Sequence, residues 1–319
     1  MHYRRLGKSG LKISEISLGS WVTFGNQIEE KIAAALVHAA YDQGVNFFDN
    51  ADVYANGQAE IVMGKAIQDL PRTALILSSK VFWPTMPGPN GRGLSRKHIT
   101  ESIHSSLRRL GTDYLDLYFC HRHDPDTPIE EVVRTMNDLI QRGDILYWGT
   151  SEWTPTQIAL AYTAARQYNL IPPTVEQPKY NMFTRSRVED DLSPLCKEQG
   201  LGLTIFSPLD SGILSGKYND GIPDGSRASL PDMSWILDNI TPKRIEKVLE
   251  LTSLAHDLDI TTAQLAIAWI LRRKDVSSVI TGATRPEQLD DNLLAANAVK
   301  KLTEEVLENI DNILNGSLI

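Results

Sequence analysis

With 319 residues, 42% of them hydrophobic and 23% charged, the chain has the composition of a globular protein with a sizeable core. Its net charge of −8 argues against non-specific binding to nucleic acid or anionic membranes, and no stretch approaches the ~20 apolar residues of a membrane span. Met1-His2-Tyr3-Arg4-Arg5 leads into no apolar signal core, so a cytoplasmic location is expected; Cys120 and Cys196 lack metal or disulfide spacing and read as small core residues.

Tyr3 to Ser14 alternates around Gly7-Lys8-Ser9-Gly10 and predicts a β-hairpin. It suits a plug over the closed end of a barrel, because the repeating strand-helix pattern begins only afterwards. Strand one is Glu15 to Leu18, and helix one sets Ile32, Leu36, Ala39 and Ala40 on one face before Gly44 stops it. Strand two is Asn46 to Asn50; helix two runs from about Ala59 to Leu70. Strand three, Leu75 to Ser79, precedes a Pro- and Gly-rich stretch from Trp83 to Gly93, long enough to point to function. Helix three spaces Ile99, Ile103, Leu107 and Leu110 and ends at Gly111. Strand four is Leu115 to Cys120. Helix four opens on Thr127-Pro128-Ile129-Glu130, which reads as a capping box with proline at the first helical position, and stops at Gly143. Strand five is Leu146 to Thr150, and helix five repeats the device with Thr154-Pro155-Thr156-Gln157. Strand six, Thr174 to Gln177, is followed by a helix from about Arg187 to Glu198. Strand seven is Gly202 to Phe206. A glycine-rich connection then runs to about Thr241, before one helix from Lys243 to Leu258 and a second carrying Leu265, Ala268, Trp269 and Leu271. Strand eight is Ser278 to Thr281; Gly282 to Gln288 opens a helix, and a last helix from Thr303 turns Val306, Ile310, Ile313 and Leu314 inward. Eight β-α units with no break in composition predict an α/β protein: a (β/α)8 TIM barrel forming a single domain over residues 1–319, with an N-terminal β-hairpin and extra helices after strands seven and eight.

Three successive strands end in ionisable residues, Asp49, Lys80 and His121, and Tyr54 follows Asp49 after a short loop. Taken singly, a strand-end Asp caps a turn, a Tyr fills a core edge and a Lys is solvated. Recurrence at one rim, where the loops after barrel strands carry the chemistry, is what points to a site. A phenol of ordinary pKa about 10 can act as a general acid near neutral pH if a nearby cation favours its ionised form, which makes Lys80 the expected partner of Tyr54. Gly91-Arg92-Gly93 and Gly200-Leu201-Gly202 each begin a Gly-x-Gly-x-x-Gly pattern and fail at its third glycine, and Ser211 to Tyr218 is one residue short of a P-loop. Gly282-Ala283-Thr284-Arg285 before a helix, with Lys217 and Arg227 on the glycine-rich connection, reads instead as an anion site on the rim. His121-Arg122-His123-Asp124 prompts a metal-hydrolase reading, but the further ligands it needs at other strand ends are missing, so no metal is expected.

Asp49, Tyr54, Lys80 and His121, set in Asn-Phe-Phe-Asp-Asn-Ala-Asp-Val-Tyr and Cys-His-Arg-His-Asp-Pro, resemble the catalytic tetrad of the aldo-keto reductases. Within that superfamily the likeness runs to the β-subunits of voltage-gated potassium channels and their plant and bacterial relatives. It is carried by Trp21-Val22-Thr23-Phe24-Gly25, Gly93-Leu94-Ser95-Arg96-Lys97-His98, Tyr147-Trp148-Gly149-Thr150-Ser151 and Val276-Ser277-Ser278-Val279-Ile280, and covers nearly the whole chain. The resemblance implies NADPH/NADP+ as cofactor. By it, Ser151 and Gln177 would meet the nicotinamide amide, and Ser207, Pro208, Leu209 and Ser211 the pyrophosphate. Lys217, Arg227 and Arg285, with Gly282 and Thr284, would hold the phosphates, and Gln288, Asp291 and Asn292 the adenosine end. Ser20, Trp21, Gln27, Asp49 and Phe206 complete the expected cofactor contacts. Trp21, Tyr54, Trp83 and His121 are the expected substrate contacts, with Val53 and Trp153 as further candidates for an apolar wall.

The expected activity is NADPH-dependent reduction of a small aldehyde or ketone to an alcohol. Tyr54 would protonate the oxygen, Lys80, paired with Asp49, would lower the Tyr54 pKa, and His121 would orient the carbonyl. The rival expectation is an NADP(H)-binding regulatory or redox-sensing subunit of a potassium-channel-like partner. In the animal channel subunits an Asn stands where this chain has His121, and many carry a long extension ahead of the hairpin; both differences favour the enzyme. The resemblance also implies a homo-tetramer, without membrane insertion.

Overall fold

A computed structural model describes residues 1–25 and 27–316. Strands β1 (Tyr3–Arg5) and β2 (Lys12–Ser14) form the antiparallel hairpin, with Arg4 opposite Ile13. Its turn uses Gly7 at φ +55°, where a Cβ would fall 2.2 Å from the carbonyl oxygen of Gly200, so the turn lies directly on the segment that enters β9 (Gly202–Ile205). Arg4 fixes the hairpin by donating to the Glu15 carboxylate at 2.9 Å and to the carbonyls of Leu271, Arg273 and Val276.

The remaining strands are β3 (Ile16–Gly19), β4 (Phe47–Asp49), β5 (Ile76–Val81), β6 (Leu115–Cys120), β7 (Ile145–Ser151), β8 (Val175–Gln177) and β10 (Val276–Thr281). With β9 they pair in parallel, in the order β10-β3-β4-β5-β6-β7-β8-β9, and close a barrel. The (β/α)8 barrel with its hairpin is therefore as expected. Side chains alternate between barrel interior and helix layer. Phe47, Ile76, Leu117, Phe119, Val175 and Ile280 fill the interior, and the hairpin's Leu6 and Ile13 join them, which makes the hairpin the plug of the amino-terminal end. Phe48, Leu77, Tyr118 and Cys120 face the helices.

This parity places the chemistry. Inward Phe47 is followed two residues later by Asp49, inward Ile76 by Ser78 and Lys80, inward Phe119 by His121, and inward Val175 by Gln177. Each polar residue thus caps the apolar filling at the carboxyl end of its strand.

The helices are α1 (Glu30–Asp42), α2 (Gln58–Ala66), α3 (Arg96–Leu110), α4 (Ile129–Arg142), α5 (Pro155–Gln167), α6 (Ser193–Gln199), α7 (Pro242–Asp257), α8 (Thr262–Leu271), α9 (Pro286–Ala298) and α10 (Glu304–Asn315). Every residue of α8 is buried, which explains a helix apolar on all faces; it packs against both α7 and α9. Helices α7 and α10 are the additions beyond one helix per strand. Glycines 111 and 143 end α3 and α4 in the left-handed conformation as expected, and Thr154 and Gln157 close a full capping box on α5.

Three expectations are corrected. Helix α1 buries Ala33, Leu36, Val37 and Ala40, whereas Ile32 is 40% exposed. The Thr127 box does not form: Pro128 is itself the N-cap, and the Thr127 hydroxyl donates to Asp124 at 2.8 Å. The helix expected over Arg187 to Glu198 begins as a π-helical turn, Arg187–Leu192, before α6. Among the described residues no helix is long and apolar enough to cross a membrane.

Candidate active site

At the carboxyl end of β4, β5 and β6 the side chains of Asp49, Lys80 and Tyr54 form one connected group. Lys80 is fully buried, and its ammonium donates to Asp49 Oδ2 at 2.6 Å, to the carbonyl of Asn50 at 2.6 Å and to the Tyr54 hydroxyl at 3.1 Å. The other carboxylate oxygen of Asp49 accepts from Ser78 Oγ at 2.8 Å and from Gln177 Nε2 at 3.1 Å. A buried ion pair holds only when its remaining valences are filled, and these contacts fill them. The ring of Tyr54 meets that of His121 edge-on, with centroids 5.9 Å apart, and His121 lies 6.4 Å from Trp83.

The electrostatics assign protonation states. Burial works to lower the Lys80 pKa, but Asp49 and Tyr54 outweigh it, and the ammonium is held above its usual value. For Tyr54 burial wins: it pushes the phenol up, and Lys80 is the strongest influence in the opposite direction. Lys80 thus acts on the phenol in the expected, lowering direction, but burial outweighs it and the net shift is upward; Tyr54 is a protonated donor at neutral pH beside a cation. Burial, then Lys80 and Arg122, hold His121 well below its usual value, so it is a neutral imidazole.

Above this group opens a cavity of about 710 Å³. Asp49, Val53, Tyr54, Trp83 and His121 line one end, with Ser151 and Gln177 on the adjoining wall. Phe206, Ser207, Pro208, Leu209 and Ser211 continue it, and Lys217, Arg227, Gly282, Thr284, Arg285, Gln288, Asp291 and Asn292 form the far end. Trp21 and Gln27 lie on its rim as well. The structure does not bring every candidate there. Ser20 is buried and donates to the carbonyl of Asp49 at 3.1 Å, beneath the lining. Trp153 is fully buried against His123, with ring centroids 4.9 Å apart, and is no part of the wall. Lys80 lies beneath the lining and donates to the Tyr54 hydroxyl at 3.1 Å.

Several residues of the lining were not among the sequence candidates. Arg122 lines the tetrad end; strand alternation directs it outward, but the strand ends at Cys120 and alternation with it. Val22 lines the cavity at φ +68°, a strained conformation for a β-branched residue. Residues 223–226 also line it, because the connection after β9 passes across the opening and carries the Arg227 guanidinium to within 5.9 Å of the Trp21 ring.

The loop that joins Asp49 to Tyr54 is held from behind by Asp52, whose Oδ2 accepts from Ser102 of α3 at 2.6 Å. Burial pushes the Asp52 carboxyl up to about 7, against Ser102, which lowers it. A folded-state pKa above the ordinary 3.8 means that the stabilisation is complete below 3.8 and is lost as pH rises through about 7. Asp52→Asn, which cannot ionise, is expected to stabilise the protein relative to wild type by roughly 2 kcal/mol more at pH 8 than at pH 5. Unfolding curves at the two pH values check this, and a pH-independent difference would contradict it.

The aldo/keto reductase family model matches residues 15–315. The chain belongs to the aldo/keto reductase family. It is 50% identical over 320 residues to an Arabidopsis thaliana protein named probable voltage-gated potassium channel subunit beta, covering 99% of this chain and 97% of that one. A rice protein (Oryza sativa subsp. japonica) with the same name is 48% identical over 320 residues, with the same coverage.

Aldo/keto reductases are oxidoreductases that generally bind NADP(H), and the far end of the cavity fits such an anionic group. Burial, then Arg227 and Arg285, lower Lys217 to about 8, the mark of three cations drawn together. Among the described residues none of the three has a carboxylate within ion-pair distance. A Cβ on Gly282 would stand 3.0 Å from the Arg227 guanidinium, and one on Gly212 2.6 Å from Lys217 Nζ, so backbone and cations share one shallow cradle. Ser226 Oγ and Gln27 Oε1, on the same lining, are buried without partners. Helix α9 begins beside them at Arg285, with no side chain capping its first amides. Among the described residues, no group of three or more His, Cys, Asp or Glu is placed to hold a metal ion.

Proposed function

We propose that the protein reduces aldehydes or ketones to alcohols with NADPH. The observation that carries this reading is the Tyr54 hydroxyl, at the floor of a cavity, 3.1 Å from a buried lysine that is itself paired with Asp49 at 2.6 Å. Bound with its phosphates against Lys217, Arg227 and Arg285, NADPH would supply the hydride. Tyr54 Oη gives its proton to the carbonyl oxygen as negative charge grows there. The Lys80 ammonium, held charged by Asp49, stabilises the phenolate that remains, and neutral His121 donates a hydrogen bond that orients the carbonyl. Trp21, Val53 and Trp83 keep water from the reacting end.

The experiment is to incubate the purified protein with NADPH and a panel of small aldehydes, 4-nitrobenzaldehyde and methylglyoxal included. The expected result is alcohol formed in equal amount to NADPH consumed. Tight NADPH binding with no alcohol from any member would overturn the reading. Selectivity for the 2′-phosphate is assigned to Arg285, beside the uncapped start of α9. Arg285→Ala is expected to weaken NADPH by about 10-fold or more, from the loss of a charge-assisted contact, and NADH by far less. Fluorescence titration with both nucleotides checks this; unchanged selectivity would move the 2′-phosphate contact to Lys217 or Arg227.

The names of the two plant relatives favour a second reading, an NADP(H)-binding subunit that reports redox state to a channel-like partner. Such a protein would retain its nucleotide and turn over poorly. The neutral His121 in the tetrad supports the first reading.

A further inference from the structure

We propose that the substrate end of the cavity selects carbonyl compounds that carry a carboxylate, with the Arg122 guanidinium as its binding group. This rests on the reductase reading above and names its substrate class.

Arg122 lines the same end of the cavity as Tyr54, Trp83 and His121, and its guanidinium lies 5.8 Å from the centre of the Trp83 ring. Its hydrogen bonds run from one nitrogen only: Nη1 donates to the carbonyl of His121 and, at 3.4 Å, to Ser151 Oγ. Among the described residues Nε and Nη2 have no acceptor, and no carboxylate lies within ion-pair distance of the group. A planar fork of donors is thus left on the wall of a pocket built for a small carbonyl compound.

The acids around it are engaged elsewhere. Glu152 pairs with Arg187 at 3.1 Å and accepts from the Lys179 amide at 2.8 Å. Glu176 is fully buried, pushed by burial up to about 8, and it accepts from the Thr150 hydroxyl and the Trp153 amide with the Arg187 guanidinium 3.9 Å away. Asp49 is neutralised by Lys80, and Asp124 accepts from Thr127 and the amides of Leu94 and Asp126. With His121 neutral and each of these carboxyl groups bound to other partners, the Arg122 guanidinium has no carboxylate of its own at the substrate end. A partly buried cation gains most from an anion that arrives with its own desolvated carboxylate, and a guanidinium fork matches the two oxygens of that group better than it matches an isolated dipole.

The test compares 4-carboxybenzaldehyde with its neutral analogue methyl 4-formylbenzoate. Wild type is expected to favour the carboxylate in kcat/KM by about 10-fold or more, and Arg122→Gln to reduce that ratio by about 10- to 100-fold. Any loss common to both aldehydes cancels in the ratio. Arg122→Lys, which keeps the charge and loses the fork, should retain part of the preference. An unchanged ratio in Arg122→Gln would overturn the proposal while leaving the reductase reading intact. Should wild type reduce neither aldehyde, benzoate binding, followed by quenching of tryptophan fluorescence, reads the anion site alone: loss of quenching in Arg122→Gln supports it, equal quenching overturns it. If that variant does not fold, wild type decides, since benzoate must bind and uncharged benzamide must not.

Discussion

Replacing Tyr54 by Phe is expected to lower aldehyde reduction by about 10²- to 10⁴-fold, the usual contribution of a positioned general acid, while the Kd for NADPH moves by less than about twofold. The substitution removes one oxygen and keeps the ring, which packs edge-on to His121 and under the Lys80 ammonium at 4.8 Å. Lys80 loses its 3.1 Å contact and keeps the two at 2.6 Å, so the floor of the site stays assembled. Because the proton is given only in the transition state, kcat and kcat/KM should fall together. Comparable losses in turnover and in NADPH affinity would remove Tyr54 from the acid role and make it a binding residue.

Lys80→Met is expected to abolish turnover at least as completely and, unlike Tyr54→Phe, to unfold the protein more easily. A fully buried cation is lost, and Asp49 keeps only the neutral donors Ser78 and Gln177 around a charge that is almost wholly buried. Breaking a buried pair by removing one partner costs about 3–5 kcal/mol. The double variant Asp49→Asn, Lys80→Met removes the stranded charge as well, and should recover much of that stability with none of the activity. Thermal unfolding beside the aldehyde assay separates the two effects. A stable, active Lys80→Met would mean that the phenolate is stabilised by another group.

The barrel and the tetrad were legible because both follow from short-range rules. Alternation along β4, β5 and β6 carries Asp49, Lys80 and His121 to the same face as Phe47, Ile76 and Phe119, and eight repeats of strand and helix close in only a few ways. Where two patterns competed, the sequence was ambiguous. In α1 the four-residue spacing from Ile32 to Leu36 matches that from Ala33 to Val37, and intervening alanines weaken the contrast; packing chose the second face. Thr127 has the spacing of a cap, but its hydroxyl is turned to Asp124, to which it donates and which also accepts from the Leu94 amide. Arg122, Val22 and the strap at 223–226 lie in irregular backbone, where no periodicity says which way a side chain points. Gly282 to Arg285 could be read as an anion site from their place before a helix, but Gln288, Asp291 and Asn292 were legible only through likeness to a family, since what gathers them is the approach of the connection after β9 to the start of α9.

A single turnover tests the central claim most directly. The protein, saturated with NADPH, is mixed rapidly with a large excess of 4-nitrobenzaldehyde, and the loss of nicotinamide absorbance is followed in wild type and in Tyr54→Phe. The account predicts a burst in wild type that consumes one equivalent of bound NADPH per site and yields the alcohol, with a rate that falls by at least about 100-fold in the variant. Equal rates in the two proteins, or bound NADPH that persists in wild type, would contradict it.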